Sequence, residues 1–327
     1  MAGLIIKLHD YIGELNFMTV SLIAAITFCL WLIPKTTDLM VNSAAGLAEK
    51  FLGRDQRTLV INSSTNNPEL LLMIVSFGLR RLGGIATPLG SNFANIYLMF
   101  IVAPVIVIGK WLLLGKFDQV KVFFRIANRE KKLILWHFLM SLAMFYFAST
   151  AYWCMTGVLQ FSPVSEDSSL RTWDWLLVGG LTCLMGILMF FFFEKRLKNN
   201  RPELFDDISN ENFEASWWHL SLGTAGLIAS CYVLNSFFLA WTELYSSVLS
   251  TIFGKGIFVG LHYFVGSLIS SLPETTVAVE NYERLTSPDL NTALASASQS
   301  NMTNLAIGCL GSILASIFLL VGLSYSL

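Results

Sequence analysis

The amino-acid sequence places a Pro-Glu dipeptide inside an apolar segment twice, once in each half. The first ends the run Asn62-Ser-Ser-Thr-Asn-Asn-Pro-Glu69, and the second ends Ser267-Leu-Ile-Ser-Ser-Leu-Pro-Glu274. A carboxylate at membrane depth is costly unless a cation, a proton or a polar partner compensates it. Proline has no N–H, so in a helix it frees a backbone carbonyl one turn earlier, which can bind a ligand where the chain lines a cavity. The repetition therefore predicts two equivalent polar sites within membrane-spanning helices.

The composition indicates an integral membrane protein. Of the 327 residues, 54% are hydrophobic and 13% are charged, whereas a soluble domain carries about 25% charged residues. We expect the lipid bilayer as a partner and no nucleic acid. The cysteines lie in apolar segments without a CxxC or Cys/His cluster, which indicates small core residues. Since no nucleophile–base pair or phosphate-binding glycine loop is present, we expect neither enzymatic activity nor a bound cofactor.

Eight segments are apolar over about the 20 residues that a spanning helix needs. They predict an all-α polytopic membrane protein with about eight transmembrane helices. The segments cover about 17–48, 57–79, 84–109, 133–157, 173–193, 219–253, 256–281 and 292 to the C-terminus. The first is so long that it should tilt steeply or break near Pro34.

The basic residues of the connections predict the orientation. Fifteen lysines and arginines fall on one side and five on the other, so we expect an extracytoplasmic N-terminus and a cytoplasmic linker at 195–216. The linker separates a first half, 1–194 with helices one to five, from a shortened second half, 217–327 with helices six to eight. Because five is odd, the halves form an inverted repeat, with a site where they meet.

Two motifs recur in the same order in the two halves, within repeats at about 37–107 and 235–312. Each time, a Thr/Ser-x-x-Pro-Glu motif is followed by a Ser-Asn-x-x-Asn motif. Polar residues four positions apart share one face of a helix. The pairs are Thr65 and Glu69, Ser91 and Asn95, Ser270 and Glu274, and Ser300 and Asn304. This oxygen-only set favours hard cations such as Ca²⁺, Na⁺ or Mg²⁺ over zinc or copper.

The pattern resembles the two α-repeats of the cation/Ca²⁺ antiporter superfamily, which includes the Na⁺/Ca²⁺ exchangers. In that family, a GTSLPE-like stretch in helices two and seven and a GSNxxN/D stretch in helices three and eight build the ion site. Residues 37–48 are also similar to the family's first helix. The resemblance implies that helices one and six form a sliding gate pair. It implies ligand roles for Thr65, Glu69, Ser91, Asn95, Ser270, Ser271, Glu274, Ser300 and Asn304, and Asn66 at the position of the family's serine completes the candidate set.

The chain departs from the family pattern at several positions. Ser64, Asn66 and Asn67 stand where the family has glycine, serine and leucine, and the second motif also lacks the glycine. Asn304 stands where Na⁺/Ca²⁺ exchangers usually carry aspartate. Two helices that follow helix eight in the family are missing. We therefore expect a second protomer or a partner membrane subunit against helices seven and eight.

Two functions are open from the sequence. One is a secondary antiporter that exchanges Ca²⁺ against Na⁺ or H⁺. The other is a non-transporting subunit that keeps the fold as a structural or assembly element. Two carboxylates at equivalent positions favour transport, because a structural element has no need of them.

Individual residues have structural alternatives. Glu69 and Glu274 as structural carboxylates would bond to neighbouring hydroxyls, and Asn95 and Asn304 would hold the repeats together. For Asn66 and Asn67 the two roles are evenly balanced.

Three further features predict structure rather than transport. His262 is expected to be a packed helix residue in preference to a proton relay. Lys35 and Asp38 are expected to pair with each other near the bend of helix one. The basic 110–132 stretch is interpreted as a loop that carries the positive-inside signal.

Overall fold

The computed structural model describes the chain over most of its length. The described residues are 2–53, 60–61, 64–67, 69–70, 73–74, 83–157, 171–205, 215–253, 269 and 271–321. Ser270, Pro68 and His262 therefore lie outside the described residues. The role predicted for Pro68, which is to free a backbone carbonyl, stays a prediction.

The described part is helical and contains no β-strand. We number its α-helices α1 (Ala2–Ile12), α2 (Glu14–Thr27), α3 (Ile33–Phe51), α4 (Gly83–Tyr97), α5 (Ala103–Leu113), α6 (Phe117–Arg129), α7 (Lys131–Thr156), α8 (Trp173–Asn200), α9 (Trp217–Leu244), α10 (Ser246–Phe253), α11 (Leu272–Glu283) and α12 (Ser287–Leu320). Within these ranges, six helices are long and apolar enough to cross a membrane. The chain is thus an all-α, multi-pass membrane protein, and the predicted spans at 57–79 and 256–281 are described only in part.

Helix one does not break at its proline. It runs from Glu14 to Phe51 as 38 helical residues, about 57 Å at 1.5 Å per residue, so it must tilt in a hydrocarbon core of about 30 Å. A π-helical turn, Phe28–Leu32, lies just before Pro34, and Ile33 donates its N–H five residues back to Phe28. This wider turn keeps the helix continuous at a residue that cannot donate an N–H.

The same device occurs in helix three. A second π-helical turn, Leu98–Val102, joins α4 to α5 just before Pro104, and Ala103 donates its N–H to the carbonyl of Leu98. Helix three is therefore continuous from Gly83 to Leu113.

The helices pack into two groups. Helix α12 lies at the centre of one group and contacts α4, α7, α8 and α11, while α9 packs along α3. A Cβ on Gly223 of α9 would lie 2.6 Å from the backbone nitrogen of Met40 on α3, so only glycine allows this close approach. The helices that the resemblance identifies as the gate pair are thus in direct contact.

Two interpretations, one of a connecting segment and one of an ion pair in helix one, were wrong. The basic 110–132 stretch is not a loop, because it contains the helix α6. Lys35 does not pair with Asp38: its amine lies 5.5 Å from the ring centre of Trp31, and Asp38 lies close enough to Glu280 for their carboxyl groups to interact. In addition, α1 was not predicted, and α8 continues to Asn200, into the segment predicted as a linker.

Candidate cation site

The two Ser-Asn-x-x-Asn motifs lie on α4 and α12, which pack against each other. A Cβ on Gly308 of α12 would lie 2.7 Å from Leu89 Cδ2 of α4, so glycine permits the close contact. Six polar side chains of the two motifs are completely buried there. They are Ser91, Asn92, Asn95, Ser300, Asn301 and Asn304.

Asn95 joins the two repeats. Its amide nitrogen donates to Ser300 Oγ at 2.8 Å and to Asn301 Oδ1 at 2.9 Å. Asn301 in turn donates to the backbone carbonyl of Asn92 at 3.1 Å. Because both hydrogens of the Asn95 amide are used, its carbonyl oxygen has a fixed orientation.

The two glutamates of the Pro-Glu motifs are also buried, with exposed fractions of 0% for Glu69 and 1% for Glu274. Ser91 Oγ donates to Glu69 Oε1 at 3.4 Å, and Ser300 Oγ lies 3.3 Å from Glu274 Oε1. Each glutamate therefore lies within hydrogen-bond distance of the serine of its own repeat, and the single hydroxyl hydrogen of Ser300 is also within reach of Asn66 Oδ1. The two carboxylates lie close enough to each other to interact electrostatically.

The first Pro-Glu motif also reaches the second repeat. The hydroxyl of Thr65 is hydrogen-bonded to Glu274, and Asn66 Oδ1 accepts from Ser300 Oγ at 3.0 Å. Both Thr65 and Asn66 are buried. Residues from the two halves of the sequence thus surround the same carboxylate.

Glu274 and Ser271 lie at the beginning of a helix. Glu274 is in the first turn of α11, Ser271 is the residue just before that helix, and Pro273 occupies a position where no intrahelical N–H bond is needed. A carboxylate is stabilised at the N-terminus of a helix by the exposed backbone N–H groups. The second Pro-Glu motif therefore positions its carboxylate by starting a helix.

Several buried oxygens and nitrogens of this region have no hydrogen-bond partner among the described residues. They are Ser271 Oγ, Glu274 Oε2, Asn95 Oδ1, and both side-chain polar atoms of Asn92 and Asn304. Burying such atoms without a partner costs about 1–3 kcal/mol each, so native structures normally pair them or place water or an ion beside them. Four oxygens of this set belong to predicted ligands, and they fit a hard cation.

Nine of the ten predicted site residues are described, and all nine are buried in this region. Hydrogen bonds link Thr65, Asn66, Ser300 and Glu274 to one another, and Asn95 to Ser300; Ser91 is bonded to Glu69. Ser271 and Asn304 are buried without such a bond in the described part. The tenth residue, Ser270, lies outside it.

Among the described residues, this region contains no cluster of the His and Cys side chains that zinc and copper sites use. Within the described ranges, no group of three or more His, Cys, Asp and Glu side chains can hold a metal ion. A cation held here would therefore use two carboxylates together with hydroxyl and amide oxygens. That ligand set is typical of Na⁺ and Ca²⁺.

Three residues of interest were missed from the sequence. Asn92 and Asn301 belong to the recurring Ser-Asn-x-x-Asn string, so the repetition itself was the signal for them. Glu280 of α11 lies close enough to Asp38 of α3 for the two carboxyl groups to interact. Nothing in the sequence relates these two acidic residues, because they lie in different halves.

Comparisons with known proteins give one distant structural likeness and no sequence match. Neither a protein-family model nor a curated protein matches the chain. A solved structure of the sodium–calcium exchanger NCX_Mj, soaked with 2.5 mM Na⁺ and 0.1 mM Ca²⁺, is similar over 89% of this chain and 87% of that chain, with a TM-score of 0.40 and 14% identity. A likeness at this level does not assign a function.

Proposed function

We propose that the chain is a secondary active antiporter that exchanges Ca²⁺ against Na⁺ or H⁺. The observation that supports this most is the buried pair Glu69 and Glu274, one from each repeat, each within hydrogen-bond distance of a serine of its own repeat. Such a pair is expensive in a membrane protein unless it meets cations or protons. A purely structural subunit would gain nothing from it.

The ligands of the proposed site come from both repeats. The two glutamates supply the charge, and hydroxyl and amide oxygens fill the remaining coordination positions. Asn95 holds the repeats together through its nitrogen and offers its oxygen to the cation. The complete set is Thr65, Asn66, Glu69, Ser91, Asn95, Ser270, Ser271, Glu274, Ser300 and Asn304.

The charge of the proposed site sets the stoichiometry. Two carboxylates balance one Ca²⁺, two Na⁺ or two protons, whereas uncompensated charge in the membrane costs at least about 2.5 kcal/mol. Each of these exchanges is electroneutral. The site therefore alternates between cargoes of equal charge.

Access to the site is controlled, in this proposal, by the pair α3 and α9. Met40 of α3 is in contact with the candidate-site segment, since Asn67 Nδ2 lies 3.7 Å from Met40 Sδ. A movement of α3 and α9 against the other helices would open the site to one side at a time. The proposal includes a cytoplasmic 195–216 linker and a second protomer or partner subunit against helices seven and eight; it includes no enzymatic reaction.

The proposal is tested by uptake of ⁴⁵Ca²⁺ into proteoliposomes that contain the purified chain. An outward Na⁺ gradient, an outward H⁺ gradient and no gradient are imposed in turn. We expect uptake with at least one gradient, and uptake at the level of empty vesicles for Glu69→Gln and for Glu274→Gln. Absence of gradient-driven uptake in a reconstituted, folded wild-type chain would favour the structural subunit instead.

A matched control uses a glutamate outside the site. Glu203 is exposed and pairs with Arg201 after the end of α8. Glu203→Gln makes the same chemical change, and we expect uptake to remain at the wild-type rate.

A further inference from the structure

The helix α6 connects two membrane-spanning helices, and within the described part of the chain the side that contains Phe123 packs against the protein. Phe123 is buried, with an exposed fraction of 8%. Its ring centre lies 6.0 Å from that of Trp111 on α5 and 5.9 Å from that of Tyr282 on α11. This aromatic contact fixes the rotation of α6 about its axis, so the direction of its other side chains is defined.

A second side of α6 is aromatic and exposed. Phe117 and Phe124 have exposed fractions of 59% and 58%, and residues seven positions apart share a helical face. The preceding residues Leu113 and Leu114 are exposed as well. Nothing in the described part of the chain covers this apolar surface, which an interfacial helix places against lipid.

A third side of α6 is basic. Lys121 and Arg125 are exposed and lie one turn apart. Arg125 makes no ion pair with the described residues, and Lys121 pairs only with the exposed Asp118 on its own helix, at 3.1 Å. Arg129 differs from them, because it bonds Ser287.

The aromatic and basic sides are neighbours. At about 100° per residue, Lys121 lies about 40° and Arg125 about 80° around the axis from Phe117. Exposed Lys116, Lys131 and Lys132 flank the helix and add to its positive charge. Going around α6, the buried contact is thus followed by an apolar edge and then by a basic edge. A helix lying in a membrane interface has this order, with aromatic side chains at the acyl boundary and cations among the phosphates.

We infer that α6 binds anionic phospholipid headgroups of the leaflet it faces, through Lys121 and Arg125, with Phe117 and Phe124 in the adjoining acyl region. Charge complementarity decides between lipid classes. A zwitterionic headgroup has no net charge to match the basic edge, and a free inorganic anion makes no use of the aromatic edge. The inference concerns a surface away from the candidate cation site and does not depend on transport.

The test is native mass spectrometry of the delipidated full-length chain in detergent, titrated with phosphatidylglycerol or with phosphatidylcholine. We expect the first phosphatidylglycerol to bind more tightly than phosphatidylcholine. For Lys121→Gln/Arg125→Gln we expect about 30-fold weaker binding of phosphatidylglycerol, since each basic residue at an anionic surface contributes about 1 kcal/mol. Binding that is unchanged in this variant, or equal for the two lipids in the wild type, would overturn the inference.

Four controls separate this site from general lipid contact. Lys195→Gln/Arg196→Gln removes two exposed cations from a different helix, α8, and binding should stay within about twofold of the wild type. Lys121→Arg/Arg125→Lys keeps the charge and should also retain binding. Phe117→Ala/Phe124→Ala should weaken binding of both lipids. Inorganic phosphate should not displace phosphatidylglycerol; full displacement at millimolar phosphate would show that the surface recognises an anion and not a lipid.

Discussion

Asn95 and Asn304 occupy equivalent positions in the two repeats, and they have different surroundings. Asn95 donates to Ser300 and Asn301, whereas neither polar atom of the Asn304 side chain has a partner among the described residues. Both side chains are completely buried. One half of the site is therefore fixed by hydrogen bonds, and the other half keeps amide atoms available for a ligand.

This difference predicts unequal effects of alanine at the two positions. Asn95→Ala removes two hydrogen bonds and leaves Asn301 Oδ1 buried without its donor, so the free energy of unfolding should fall by about 2–3 kcal/mol. Asn304→Ala breaks no such bond and should change it by less than about 1 kcal/mol. Thermal unfolding in detergent, without added cations, measures both. Equal losses of stability would show that the two asparagines have equivalent roles.

The absence of charge on Asn304 leads to a second prediction. With two carboxylates in the site, transport by the wild type should show little dependence on membrane potential. Asn304→Asp adds a third acidic group beside them, and transport should become voltage-sensitive or couple a different number of ions. Flux into vesicles whose potential is clamped with K⁺ and valinomycin measures this. A wild-type Ca²⁺ flux that rises steeply with the imposed potential would exclude the two-charge site.

The contact between α3 and α9 gives a third prediction. Gly223→Ala places a methyl group 2.6 Å from the Met40 backbone, which cannot move aside as a flexible side chain does. The free energy of unfolding should fall by about 1–3 kcal/mol, the usual cost of overpacking. Gly109→Ala is the matched control, because a Cβ there meets nothing within 4 Å. If both variants unfolded at the wild-type temperature, α3 and α9 would not be closely packed.

The sequence predicted the main elements of the site because they are repeated. Residues four positions apart share a helical face, so Ser91 with Asn95 and Ser300 with Asn304 were expected to point in one direction. These side chains lie beside Glu69 and Glu274 because the two repeats meet, as the sequence predicted. The difference between Asn95 and Asn304 was not predictable, since it depends on how α4 and α12 cross.

Other features were missed for different reasons. The helix α6 has apolar residues at Val120, Phe123 and Phe124, a spacing that indicates an amphipathic helix, but its many basic residues were interpreted as a loop signal alone. The long first helix was expected to tilt steeply or to break near Pro34; it is continuous, and the π-helical turn before Pro34 was not predicted. The contact between Asp38 and Glu280 is purely tertiary, so no local pattern indicates it.

The most direct test of a cation site built on Glu69 and Glu274 is the binding of ⁴⁵Ca²⁺ to the purified chain at equilibrium. Binding requires no gradient or gate movement, so it reports on the site alone. We predict one Ca²⁺ per chain in the wild type and in Glu203→Gln, competition by Na⁺, and loss of binding in Glu69→Gln and in Glu274→Gln. Wild-type binding in a folded Glu69→Gln/Glu274→Gln double variant would contradict the account.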